Sequence, residues 1–525
     1  MTPEHGIRMG VALSHHEMSH WQVELVRSLA AEPRVELCFI HDSGRPAPAL
    51  PWLGGRLRRR YLSAHGRGFL GSARNKELPH APRSEGTSEV LKTRARAEHI
   101  DMLLLLSGMD AMDVRDLEPT TVWRFGPASP SGWESAPPGL VEHIIHQHSV
   151  HMALERWTPT GWKVLDQGSC QHHAERIRAL IDAAKSWVLN RLRSGAVTGP
   201  TIDRTAPELD PPGVWARMQR LWPLLTGAER RAHHEVEWNI GVLPQPIHHL
   251  LEERPSLNVR WLPPPELGSQ RIEPFGITDS EGELNVLYAK GHKDGAWSIS
   301  RVRPKQDNVL KRSRSILELA QDLHYPYTVQ RGADIHFVVS NKEQDRTLLH
   351  RVYQNLDGSE PVAVLWTAAL HAPTLVEHGG RWWLFGCGKD LPDEGLLVFH
   401  ADRLEGPYVP HALNPVRVAI DGARPGGTPF VHEGVLWRPG LDLSDPYRPH
   451  VVLHRVLALG PDVFHEVAER SIGPYRNSQY PHGTRTLAAM GDVTLVDGMR
   501  HITPLHVEQA KERAKLRRKR RNKDR

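Results

Sequence analysis

Cysteine is scarce in this chain, and the three that occur, Cys38, Cys170 and Cys387, are far apart and odd in number. That excludes a disulfide framework and a paired-cysteine zinc site. Long apolar runs are missing too: none, Met102–Leu106 included, approaches the roughly 20 residues a spanning helix needs. The opening MTPEHGIRMGVALSHH places an acid and histidines where a secretory signal has a basic region and a long apolar stretch. Phe and Tyr number only nine each, against 16 Trp and 33 His. The histidine pairs (His15–His16, His172–His173, His233–His234, His248–His249) have no partners at ligand spacing, so no metal is expected. The turn after Leu13 lacks the closely spaced glycines of a dinucleotide loop, and no cofactor is expected. The default setting is soluble, reducing and cytoplasmic.

What is present is length for several cores. At roughly 150 residues per domain, 525 residues make two to four domains. With 24% charged and 39% apolar residues the chain is neither disordered nor fibrous. Residues 511–525 (KERAKLRRKRRNKDR) carry ten Lys/Arg and two acids, a net +8, which leaves the rest near −3 against the formal +5. This run suits weak binding of an anionic polymer, or simply a solvated tail; it lacks the aromatics that base stacking needs.

Residues 7–41 read as strand, helix, strand: IRMGVAL, then WQVELVRSLAAE with Trp21, Val23, Leu25, Val26 and Leu29 at helical spacing, then VELCFIH. This is how a parallel α/β domain begins. Residues 42–92 read as a surface excursion, a helix is expected around Val90–Glu98, DMLLLLSGMD as a buried strand, and Ala174–Leu192 as a closing helix. Beyond residue 272 the pattern changes to apolar strand, glycine turn, alternating strand. The turn glycines Gly282, Gly332, Gly380, Gly434 and Gly491 are 50, 48, 54 and 57 residues apart. Five hairpins at this period are the mark of a propeller with five four-stranded blades.

The segments IEPFGI (272–277), LHYPYTV (323–329), HAPTLVEHGGRWWLF (371–385), GARPGG (422–427), LWRPGLDLSDPY (436–447) and HGTRTL (482–487) resemble, in order, the propeller of glucosamine inositolphosphorylceramide transferases. That propeller is in turn similar to those of arabinanase-type glycosidases. Residues 7–195 resemble the formyltransferase fold of methionyl-tRNA formyltransferase, through the opening strand, the Trp21–Gln22 helix start, DMLLLLSG and VWRFGPASPSGW. The fold class expected is therefore multidomain α/β plus all-β: a formyltransferase-like domain over 1–198, a connector over 199–270, a five-bladed propeller over 271–508 and a basic tail over 509–525.

The formyltransferase resemblance implies an Asn, a His and an Asp around the reacting amine, but the segment Val122–Gly126 has neither Asn nor His. Asp166 is a displaced acid or a turn residue, and Ser129 and Trp133 are candidates for a residual pocket. The glycosidase resemblance implies three axial carboxylates. Glu273 stands at the base position and is the one catalytic candidate; the acid position falls near Ser340–Asn341, with Glu343 two residues on, and the third position is Ala372. The substrate-binding candidates are Arg424, Arg438, Asp442, Tyr325, His482 and Arg485. Three arginines favour an anionic sugar or sugar phosphate as partner; the competing reading makes Arg424, Arg438 and Asp442 a buried ion-pair network. Trp382, Trp383 and Trp437 are stacking candidates or core. The expectation is a carbohydrate-directed protein, a sugar or glycoconjugate transferase component of envelope polysaccharide metabolism, or alternatively a non-catalytic sugar-binding or scaffold protein.

Overall fold

The computed structural model describes residues 6–13, 18–42, 54–73, 78–79, 81–106, 116–126, 137–144, 149–194, 235–291, 297–304, 314–317 and 323–502, with 508, 512 and 515. The chain divides into two compact units, Met1–Arg230 and Arg231–Arg525.

In the first unit seven strands form one mixed sheet. In spatial order they are Arg83–Glu85, Val35–Asp42, Ile7–Leu13, Met102–Leu105, Thr121–Gly126, Ser149–Thr158 and Gly161–Gln171. The first five run parallel, and the last two form an antiparallel hairpin on the edge. The helix His20–Ala30 begins where Gln22 accepts the Ser19 backbone N–H at 2.8 Å, and it buries Trp21, Val23, Leu25, Val26 and Leu29 as the spacing predicts. The closing helix Ala174–Ser194 buries Ile177, Leu180, Ile181, Ala184, Val188 and Leu192. Two features depart from the sequence reading. The stretch 42–92 contains a helix, Gly54–His65, whose Tyr61 and Leu62 are buried, and an edge strand. The hairpin Ser149–Gln171 was not expected, because its strands mix charged residues into both faces. The candidates Ser129 and Trp133, and most of the run 511–525, lie outside the described residues.

The second unit is a five-bladed propeller of four-stranded antiparallel blades. Blade one is Gln270–Thr278, Leu284–Gly291, Trp297–Val302 and Arg314–Leu317; blade two is Tyr327–Arg331, Asp334–Asn341, Arg346–Val352 and Ser359–Trp366. Blade three starts with His371–His378, Arg381–Cys387 and Gly395–Ala401, and blade four contains Asp421–Pro425, Val435–Asp442, His450–Leu459 and Phe464–Ile472. All five turn glycines join the first two strands of a blade and hold positive φ, from 56° to 78°. An L-residue is disfavoured there, so the fifty-residue glycine period reports the hairpins directly.

The fifth blade corrects the expected connector. Its two inner strands, Leu487–Met490 and Val493–His501, come from the C-terminal side; its outer two, Val236–Leu243 and Arg260–Trp261, come from before blade one. Val236 pairs with His501 and the register runs unbroken to Leu243 with Thr494. Residues 236–261 are therefore propeller, not linker. Alone they show no hairpin glycine, so the repeat pattern misses them. The ring also closes on its inner side, where Gly427 of blade four bridges Leu487 of blade five in parallel.

At Gly427 φ is +141°, and an added Cβ would lie 1.9 Å from the Leu487 carbonyl oxygen. Gly427→Ala is expected to cost at least about 3 kcal/mol of propeller stability in denaturant unfolding. Gly434→Ala, at φ +76° but in open space, is expected to cost only about 1–2 kcal/mol. Equal losses would show that the inner closure is not a point of strain.

Candidate functional site

Five residues, one from each blade, form a ring at the entry to the inner strands. Tyr325 and Arg485 stand two positions before the first ladder residue of their blades, Tyr327 and Leu487, and Glu273 and Ala372 two before the residues where pairing resumes after a bulge, Phe275 and Thr374. Arg424 stands two before Gly426, whose N–H bonds the Pro439 carbonyl of the next strand. Glu273, Tyr325 and Ala372 hold φ of +56°, +53° and +51°, a region costly for non-glycine residues that persists only where the surroundings impose it. Proline follows Glu273, Tyr325, Ala372 and Arg424, at 274, 326, 373 and 425, which disfavours continuation in a right-handed turn.

These five residues line a cavity of about 270 Å³, together with Trp238, Trp297, His324, Ser340, Lys342, His371 and others. Glu273 is 2% exposed. Its Oε2 accepts the Tyr325 N–H at 2.7 Å and lies 3.7 Å from His324 Nδ1, and its Oε1 is 3.6 Å from Arg424. Burial alone would raise its pKa, but the hydrogen bond and charge of His324, with the charges of Arg485 and Arg424, hold it down at about 2. The carboxylate is permanently ionised near neutral pH. Arg424 also pairs with Asp393 at 2.7 Å. Burial works against its charge, and Asp393 and Glu273 more than restore it. The Tyr325 hydroxyl accepts hydrogen bonds from the Gly427 N–H at 2.8 Å and from Thr374 Oγ1 at 3.2 Å, tying blade two to blades three and four.

Asp497, fully buried on the second strand of blade five, lies beneath the ring. It accepts the N–H groups of Glu273 (3.0 Å), Arg485 (2.7 Å) and Thr486 (3.0 Å). The Arg485 guanidinium faces the Trp238 ring at 5.7 Å, and burial followed by repulsion from Arg424 lowers its pKa. Trp297 packs on His324 with centroids 4.6 Å apart, and burial pushes His371 down to about 4. The cavity thus has indole walls over a charged, hydrogen-bonded floor. Among the described residues no group of three or more His, Cys, Asp or Glu is placed to hold a metal.

Of the expected site residues, Glu273, Tyr325, Arg424 and Arg485 come together in this ring. Three do not line the cavity. Arg438 is 1% exposed on the second strand of blade four, where Glu466 accepts from its Nε at 2.7 Å and its Nη2 at 2.6 Å, and the Gly422 and Ala423 carbonyls accept from Nη2 and Nη1. Asp442 accepts the N–H and hydroxyl of Ser444 and lies 3.3 Å from His450. His482 accepts the His501 N–H at 3.1 Å and packs tilted against that ring. Arg438 and Asp442 carry structure because their polar atoms are already matched, and His482 carries it through His501. Trp382 and Trp383 are buried core, and Glu343 is exposed. In the first unit Asp166 pairs with Arg191, which also donates to the Leu165 carbonyl, so this acid fastens the closing helix to the sheet. Sequence reasoning missed Trp238, Trp297, His324, His371, Asp393 and Asp497. Trp238 was hidden by the connector assignment, whereas His324 and His371 were legible as the residues preceding ring positions.

Removing Arg438 leaves Glu466 buried, with Arg417 at 3.4 Å as a weaker partner. Arg438→Met is expected to cost about 3 kcal/mol at pH 7. Burial would raise the Glu466 pKa, but Arg438 and its neighbours hold it near 2 against 4.5 unperturbed. A depressed carboxylate stabilises above its unfolded pKa and loses that contribution as pH falls from about 4.5 to 2. The gap between wild type and variant is therefore expected to narrow over that window; a gap constant from pH 7 to 3 in urea titrations would refute the assignment.

The family described as glucosamine inositolphosphorylceramide transferase 1, N-terminal, matches residues 305–482. A glucosamine inositolphosphorylceramide transferase 1 of Oryza sativa subsp. japonica is 28% identical over 201 residues, 35% of this chain and 27% of its own. The Arabidopsis thaliana protein of the same name is 26% identical over 158 residues, covering 29% and 20%. This chain thus aligns with about a quarter or less of those relatives' length. Among solved structures, Zg3597, a family 117 glycoside hydrolase of Zobellia galactanivorans, aligns with TM-score 0.31 and 12% identity over 44% of this chain and 85% of its own. An exo-beta-1,3-galactanase of Phanerochaete chrysosporium complexed with galactose aligns with TM-score 0.30 and 15% identity, over 38% and 49%. The propeller is thus similar in sequence to the N-terminal part of glycoconjugate transferases.

Proposed function

We propose that the propeller binds a sugar carrying negative charge in its axial cavity, as a sugar or glycoconjugate transferase component of envelope polysaccharide metabolism. The observation that carries this reading is the pairing of Trp238 and Trp297 with a floor of Glu273, Arg424 and Arg485. A sugar offers an apolar C–H face and a rim of hydroxyls; indole rings suit the first and fixed charges the second. The cavity volume lies just below the roughly 300–1,000 Å³ of drug-sized pockets, which suits one sugar ring.

A second reading, binding without turnover, rests on a specific feature. Among the described lining residues Glu273 is the one carboxylate, and Ala372 occupies a ring position where the resemblance wants an acid. Any sugar turnover abolished in Glu273→Gln would exclude this reading. We further propose that the N-terminal sheet is a formyltransferase-type scaffold without its catalytic set, and that residues 511–525 weakly contact anionic polymers. Retention on RNA or anionic vesicles that survives deletion of 511–525 at low salt would end the last idea.

The test is a thermal-shift and calorimetric panel of neutral sugars, uronic acids, sugar phosphates, nucleotide sugars and folates. A charged sugar is expected to stabilise the protein. Trp297→Ala is expected to weaken that ligand roughly two- to tenfold, and Arg424→Ala to weaken it further. Full affinity in both folded variants would remove the site. A folate shift would return chemistry to the first unit.

A further inference from the structure

The two guanidinium groups at the cavity floor are not equivalent. Arg424 is matched by Asp393 at 2.7 Å and Glu273 at 3.6 Å. Arg485 uses its backbone N–H on Asp497, but its side chain makes no hydrogen bond or ion pair with any described residue, and its Nε is buried without a partner. Arg485 is half-buried against Trp238, so its outer guanidinium donors face the cavity without a protein acceptor, and a ligand anion is the simplest group to engage them. The acids nearby are already engaged. Asp497 directs its oxygens at three backbone N–H groups, and Glu273 is held by the Tyr325 N–H and flanked by His324 and Arg424. Lys342, the other cation of the lining, is exposed to solvent.

The carboxylates Glu273, Asp393 and Asp497 thus offset the two guanidinium charges in sum, and what Arg485 lacks is an acceptor for its side-chain donors. A second negative charge on a ligand would face Glu273, Asp393 and Asp497, while Arg424 and His324 already lie against Glu273 and Lys342 is solvated. We infer that Arg485 is the recognition group for a singly charged oxyanion on the sugar, a carboxylate or a phosphodiester, and that a phosphomonoester dianion is disfavoured. This rests on the carbohydrate reading and narrows it to one ligand class.

The experiment is calorimetric titration of the full chain at pH 8 with glucose, glucuronate, glucose 1-(methyl phosphate) and dianionic glucose 1-phosphate. Acetate and dimethyl phosphate serve as bare oxyanions that need no sugar pocket. At least one singly charged sugar is expected to bind about tenfold or more tighter than glucose, and which one does so distinguishes carboxylate from phosphodiester. Arg485→Gln is expected to bring that ratio near one, Arg485→Lys to restore part of it, and Lys342→Gln to change it less. The Asp497 contact uses the backbone of residue 485, so both Arg485 variants are expected to keep the wild-type melting temperature. A preference surviving in Arg485→Gln, or tighter binding of glucose 1-phosphate, would overturn the inference. If bare oxyanions bind through Arg485 while no sugar binds, the carbohydrate reading fails and the oxyanion site stands. If neither bare oxyanions nor charged sugars bind, the oxyanion site is gone.

Discussion

One buried carboxylate holds the propeller's seam and its cavity in the same place. Asp497 belongs to the last blade, yet it accepts the N–H of Glu273 in the first blade as well as those of Arg485 and Thr486 in its own. Burial works to raise its pKa and the donated N–H groups work against that. Because it bonds to backbone, it sets where residues 273 and 485 leave the ring without engaging their side chains. Those side chains are then free to point into the cavity with opposite charges.

The same economy explains which polar groups carry structure. Arg438 and Glu466 are both nearly inaccessible and form a two-point contact within blade four, with His454 beside them held near 3, chiefly by burial. Burying such a pair is tolerable only when every donor and acceptor is matched, and a matched pair has nothing left for a ligand. Arg424 lies between the extremes: it is matched, but at the cavity surface, so it shapes the floor.

Much of this was legible in sequence. The glycine period marked all five inner hairpins, because positive φ at a tight turn is a local demand that the residue itself reports. Four site residues were found through the segments that carry the propeller resemblance, and the structure brings them together at one cavity. Arg438, Asp442 and His482 were misplaced for a different reason: residue type and motif context do not say whether a guanidinium faces the axis or the next strand, since a two-residue period reverses direction at each step. The place of Val236–Leu243 in the propeller was missed because its partner lies some 250 residues on, and no local pattern encodes a pairing at that distance.

That separation governs how the propeller forms. During N-to-C synthesis the strand Val236–Leu243 emerges long before Val493–His501, and for that interval one of its two edges has no native partner, the other pairing locally with Arg260–Trp261. An unpaired apolar strand is a template for wrong pairing. The first four blades complete their ladders from sequence-local hairpins, whereas the last must wait for a contact of very high sequence separation, the slowest kind to close. Blades one to four are thus free to assemble early as an open arc, and the axial cavity, which needs Trp238, Glu273 and Arg485 together, comes into being only with the final pairing.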